Sequence, residues 1–127
     1  MAEISSFRKL IAWQKAMNLA DMVFDATDTF PQTHRYEIGR QMRKSSVSIP
    51  SNIAEGTRYG RRGYIHFVTI ALGSHAELDT QCELATLRKM LSATQTRELM
   101  AALDELGRIT HGLRRALRRP VKANPNP

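Results

Sequence analysis

Between Ala93 and Arg118, Leu99, Leu103, Leu106, Leu113 and Leu117, with Thr110 in register, recur at alternating steps of four and three residues. That step is the period of one face of an α-helix and fits no strand. Three earlier segments carry the same signature. Trp13, Met17, Ala20, Phe24 and Thr27 mark one face from about Lys9 to Thr29. Ile38, Met42, Ser45, Ile49 and Ile53 mark a second from about Arg35 to Glu55. Tyr64, Phe67, Ala71, Ser74, Leu78, Gln81 and Ala85 mark a third from about Arg62 to Leu91. There, Ile70, Leu84 and Leu91, with Glu77 between them, form a further row at heptad spacing. Ala71, Gly73, Ser74 and Ala76 keep the middle of this segment thin enough for close approach of another helix.

The breaks between segments are short. Phe30-Pro31 ends the first, because a residue before proline is pushed out of the helical region. Gln32 to His34 then form a brief connection. Pro50 sits inside the second segment. It removes one ladder hydrogen bond and predicts a kink, at about 3 kcal/mol if uncompensated. Ser46 and Ser48 are placed to re-satisfy the freed backbone groups. Gly56 is a stop signal, followed by a short loop from Thr57 to Arg61. Ser92 and Gln95 have the spacing of a capping box for the last helix, which Pro120 terminates. Short connections make consecutive helices antiparallel neighbours. The expected fold is therefore all-α, an up-down-up-down four-helix bundle. It is a single domain over residues 1–119, with a frayed tail over 120–127.

With 127 residues, 42% hydrophobic and 24% charged, the chain is long and apolar enough to bury a core. Cys82 stands alone, which precludes an internal disulfide and fits a reducing cytoplasm. Met1 to Ser6 lack the pattern of a signal peptide, and no apolar run approaches a membrane span. No membrane partner is expected.

Catalytic and metal chemistry find little support. No Glu precedes His at the spacing used by bundle di-metal sites, and His34, His66, His75 and His111 are scattered. Gly56-Thr-Arg-Tyr-Gly-Arg-Arg-Gly63 follows a helix rather than a strand and is not a phosphate cradle. Ser45, Ser46, Ser48 and Ser51 have no base beside them. The expectation is a non-enzyme with no cofactor and no metal. Asn52 with Glu55, and Ser74 with Glu77, are spaced three apart at the border of core stripes. They are expected to form a structural polar network, with Arg43 and Arg58 as candidate partners.

The formal charge is +7, and the basic residues lie in two blocks. Arg40, Arg43, Lys44, Arg58, Arg61 and Arg62 surround the second segment and its loop. Arg114, Arg115, Arg118, Arg119 and Lys122 load the end of the fourth, more than a helix dipole needs. These residues are the candidate nucleic-acid contacts. Tyr59 and Tyr64 flank the Arg loop as candidate stacking groups, Tyr64 having the better claim to a core position. The function read from the residues is a basic scaffold binding nucleic acid, structured RNA above all, through phosphates. The alternative is a protein-interaction scaffold with no nucleic-acid ligand.

The stretch Gln41-Met-Arg-Lys-Ser-Ser-Val-Ser-Ile-Pro-Ser-Asn-Ile-Ala-Glu-Gly56, with Arg58 after it, resembles the signature of one family. That family comprises the four-helix bundle proteins encoded in intervening sequences of 23S rRNA genes, also called the S23 ribosomal protein family. Trp13-Gln14-Lys15-Ala16, Phe30-Pro31 and Ala71-Leu-Gly-Ser-His-Ala-Glu-Leu78 support the resemblance, which runs from about Phe7 to Leu117. It implies a bundle that assembles into a homopentamer. The family is in turn similar to the accessory variability proteins of diversity-generating retroelements, which are basic, nucleic-acid-binding pentamers. Lys44-Ser45 and Leu72 depart from the usual pattern, and Leu72 weakens the case for a basic surface at its position.

Overall fold

The computed structural model describes residues 6–120, so Lys122 and the tail from 121 onward lie outside it, as do residues 1–5. The chain forms α1 (Ser6–Lys9), α2 (Ile11–Asp28), α3 (Gln32–His34), α4 (Arg40–Gly56), α5 (Arg61–Leu87) and α6 (Ala93–Arg118). A π-helical turn at Arg35–Gly39 joins α3 to α4. The four long helices pack in cyclic order, α2 on α4, α4 on α5, α5 on α6, and α6 back on α2. This is the expected four-helix bundle. Among the described residues no helix is long and apolar enough to cross a membrane.

The core runs down the middle of this square. Leu19 and Val23 of α2, Met42, Ile49 and Ile53 of α4, Leu78 of α5, and Leu99, Leu103 and Leu106 of α6 are all buried there. Each such side chain contributes about 1.5–3 kcal/mol of transfer free energy. α6 begins and ends where its sequence indicates. Ser92 Oγ accepts from Gln95 N–H at 3.1 Å and Ser92 N–H donates to Gln95 Oε1 at 2.8 Å, closing the capping box.

Two sequence expectations are corrected. In α2 the buried stripe is Ala12, Ala16, Leu19, Val23 and Ala26. Of the expected stripe Ala20 and Thr27 are buried, whereas Met17 and Phe24 are 45% and 42% exposed. The two stripes are neighbours on one helix, and the alanine-rich one faces inward because small side chains admit closer helix approach. At the far end, α5 stops at Leu87, four residues before the expected Leu91. Lys89 there adopts a left-handed φ of 60°. Met90 N–H then donates to Ala85 O at 2.9 Å and Lys89 N–H to Thr86 O at 3.0 Å, the paired bonds of a Schellman stop. Gly56 is the last residue of α4, as its reading as a stop signal requires, and it lies where α5 crosses α4. A Cβ at that position would meet Tyr64 Cδ1 at 3.0 Å and Phe67 Cβ at 3.1 Å.

α4 is helical on both sides of Pro50, which is buried. Ser46 Oγ donates to Arg43 O and Ser51 Oγ to Val47 O, both at 2.8 Å, whereas Ser48 Oγ is taken up by Ser74 and Asn52, so these serines do not cover the Ser46 carbonyl that the proline frees.

Candidate nucleic-acid interface

Antiparallel packing brings the C-terminal ends of α4 and α6 to the same end of the bundle as the N-terminal ends of α2 and α5. The loop bearing Arg58, Arg61 and Arg62 therefore meets the helix end bearing Arg114, Arg118 and Arg119. Arg61 Nη1 donates to the carbonyl of Arg119 at 2.7 Å, and Arg114 Nη1 to Thr69 Oγ1 at 3.5 Å. Arg58, Arg61, Arg62, Arg115, Arg118 and Arg119 are all exposed. Arg8 and Lys9 of α1 lie at this end too, a placement visible only once the hairpin topology is known. Across residues 7–14, 52–67 and 108–120, Glu55 is the one carboxylate.

The backbone adds hydrogen-bond donors here. Gly60 caps α5 in an extended conformation and has no side chain to bond the first-turn N–H groups. The free first-turn N–H groups of α5 therefore open into the same basic pole, while the C-terminal ends of α4 and α6 there oppose its dipole, so the field of the pole is that of its side chains. Tyr59 is 52% exposed beside these arginines. Its ring stacks on Phe67 with centroids 5.2 Å apart, while Tyr64 is half-buried against Gly56.

The first basic block does not hold together in space. Arg40 and Lys44 are exposed at the start of α4, the opposite end of the bundle from Arg58. Arg43 is half-buried and bridges elements, donating to Thr27 Oγ1 at 3.1 Å and to Arg35 O at 3.4 Å. It is bonded to α2 and not to the polar cluster expected around Asn52.

That cluster is also smaller than its sequence spacing indicates. Ser48 Oγ and Ser74 Oγ lie 2.7 Å apart across the α4–α5 contact. Asn52 Nδ2 donates to Ser48 O at 2.8 Å and to Ser48 Oγ at 3.0 Å. Ser48, unmarked as a network member in the sequence, is the hub. Glu55 and Glu77 are exposed.

A second surface feature is apolar. Trp13, Met17 and Phe24 of α2 and Val47, Pro50 and Ala54 of α4 line an open groove of about 520 Å³. The thin middle of α5 is divided, with Ala71 and Ser74 buried inside the bundle and Gly73 and Ala76 exposed. Among the described residues no group of three or more His, Cys, Asp or Glu is placed to hold a metal ion.

A compact antiparallel four-helix bundle with one strongly basic pole is thus the class of protein defined here. The sequence pattern of the 23S rRNA-intervening sequence protein family matches residues 8–112, and the chain belongs to that family. A solved structure from Bacteroides thetaiotaomicron, of a protein of unknown function from the S23 ribosomal protein family, is similar at a TM-score of 0.76. The two are 18% identical, with 83% of this chain and 96% of that one covered, a likeness of fold. No curated protein matches the chain.

Proposed function

We propose that this protein is a non-enzymatic, basic, oligomeric scaffold of the cytoplasm that binds nucleic acid, structured RNA above all, through phosphate contacts. The observation that carries this reading is the convergence of Arg58, Arg61 and Arg62 with Arg114, Arg118 and Arg119 at one pole where Glu55 is the one carboxylate among the described residues. A convex helical surface offers no reader for a base-pair groove, so contacts to backbone phosphates dominate and sequence preference is weak. The family's tie to 23S rRNA favours RNA over DNA. Self-association is supported by the apolar groove between α2 and α4, whose exposed Met17, Phe24 and Val47 gain from being covered.

The test is filter binding of a structured RNA across salt. Binding weakens steeply with salt in the wild type, because each phosphate contact releases counterions. Arg61→Glu with Arg62→Glu, or Arg115→Glu with Arg119→Glu, weakens binding to RNA of any sequence and flattens the salt slope. Arg40→Glu with Lys44→Glu, at the other end, has the smaller effect. No binding at low salt overturns the reading in favour of a protein-interaction scaffold.

A further inference from the structure

Leading from the pole toward the middle of the bundle, titratable side chains gather in the groove between α5 and α6. His75 of α5 faces Asp104, Arg108, His111 and Arg115 of α6 across a cleft of about 600 Å³. Gly107 shapes it, because a Cβ there would lie 3.1 Å from both Cε1 and Nε2 of His75. The missing side chain lets the ring reach the α6 backbone, where Nε2 stands 2.7 Å from Leu103 O. A carbonyl cannot donate, so Nε2 carries the hydrogen.

The charges in this cleft do not balance. Arg108 reaches Asp104 at 3.4 Å, and both side chains are more than 70% exposed, so the pair is loose. Arg115 and the neighbouring Arg114 have no second carboxylate among the cleft-lining residues. Partial burial of the ring, with Arg114, His75 and Arg115 around it, holds His111 below the usual histidine range. On α5, Asp79 lies one turn beyond His75 but acts on Cys82. Clustered cations and the His111 imidazole, deficient in negative charge and open to solvent, are the donor set an oxyanion requires.

We propose that this cleft is a phosphate-group site, with Arg108, Arg115 and His111 as its donors and the His75 ring as its wall, occupied by a backbone phosphate of the bound nucleic acid. The proposal rests on the nucleic-acid reading above and gives it a regulatory feature. An anion among these groups offsets the repulsion that adds to burial in lowering His111, so binding takes up a proton and affinity rises as pH falls. Phosphodiesters do not titrate in this range, so the dependence belongs to the protein.

The experiment has two arms on the full chain. The first follows the histidine ring protons by NMR against pH, with and without millimolar inorganic phosphate. Phosphate is expected to move the His111 titration upward in the wild type, and in Arg61→Glu/Arg62→Glu, whose pole is disabled. The second measures RNA affinity at about pH 8 and about pH 6. The wild type is expected to tighten roughly threefold or more, with the gain diminished in His111→Gln and in Arg115→Gln. Both positions are exposed, and helical content by circular dichroism verifies folding. A His111 titration indifferent to phosphate, with the same pH dependence in wild type and His111→Gln, overturns the site while leaving RNA binding at the pole intact. A titration that responds to phosphate in a protein that binds no RNA keeps the phosphate site, assigns it to the free ion, and overturns its occupation by a strand.

Discussion

Arg61 holds the carbonyl of Arg119 at 2.7 Å, tying the first turn of α5 to the residue just past the end of α6. The cationic side chain of Arg61 is thereby held at the backbone of a second arginine 58 positions away in sequence. The guanidinium of Arg61 also satisfies a helix-end carbonyl, so the contact offsets part of the repulsion that crowding so many arginines creates.

Ser74 and Glu77 separate what a structural network contributes from what only borders it. Ser74 is 7% exposed and bonded to Ser48 across two helices, whereas Glu77 is exposed. Ser74→Ala is expected to lower stability by about 1 kcal/mol. Glu77→Ala should shift it by less than about 0.5 kcal/mol in the isolated chain. Denaturant midpoints of the three proteins decide this. A loss of about 3 kcal/mol for Glu77→Ala would instead reveal a buried, paired carboxylate.

Lys89 carries a φ of 60° at the α5 stop, a conformation that costs any residue with a Cβ. Lys89→Gly is expected to raise stability by about 0.5–1 kcal/mol, the relief at this position exceeding the entropy glycine loses on folding. Thermal unfolding followed by circular dichroism should show the rise. A lowered midpoint refutes the Schellman assignment.

Cys82 is 1% exposed, and burial, with Asp79 and Glu83 nearby, pushes its thiol up to about 12. In the unfolded chain the thiol ionises near about pH 8.5. Above that pH the unfolded state loses a proton that the folded state keeps, so this group's contribution to stability is complete below about pH 8.5 and diminishes as pH rises. Stability of the wild type should fall between about pH 8.5 and pH 10 more than that of Cys82→Ala. A thiol reagent at neutral pH should react with Cys82 at the rate of unfolding, not at that of a free thiol.

Assembly is tested by mass. Light scattering on a sizing column should give a value near five times 14.4 kDa. Met17→Glu with Phe24→Glu places charge in the groove between α2 and α4 and should lower that mass without loss of helix. A wild-type monomer at tens of micromolar refutes self-association.

The sequence carries the fold legibly wherever the signal is local. Ser92 and Gln95 fix the start of α6, and Pro120 its end, because capping and proline chemistry act within a few residues. It misleads wherever two local patterns are equally good. Trp13, Met17 and Phe24 are as helical in spacing as Ala12, Ala16 and Leu19, and only the neighbouring helices decide which set turns inward. Lys89 shows the same limit, since nothing local distinguishes a lysine that takes a glycine conformation. The candidate site is legible residue by residue but not as a surface. Arg43 and Arg58 belong to one block in sequence, yet Arg43 bridges to Thr27 whereas Arg58 stands exposed at the far end of α4.

The unequal ends of the bundle make the molecule an electric dipole along its long axis. At the Arg40 end cations are interleaved with Asp25, Asp28, Glu37 and Glu98, whereas at the Arg119 end they are nearly alone. A polyanion within a Debye length, about 10 Å at moderate salt, exerts a torque on such a body before any contact forms. Encounters are therefore sorted by orientation, and the arginine end leads. Were protomers to assemble in a ring pointing the same way, those dipoles would add, and the two faces of the disc would differ in potential.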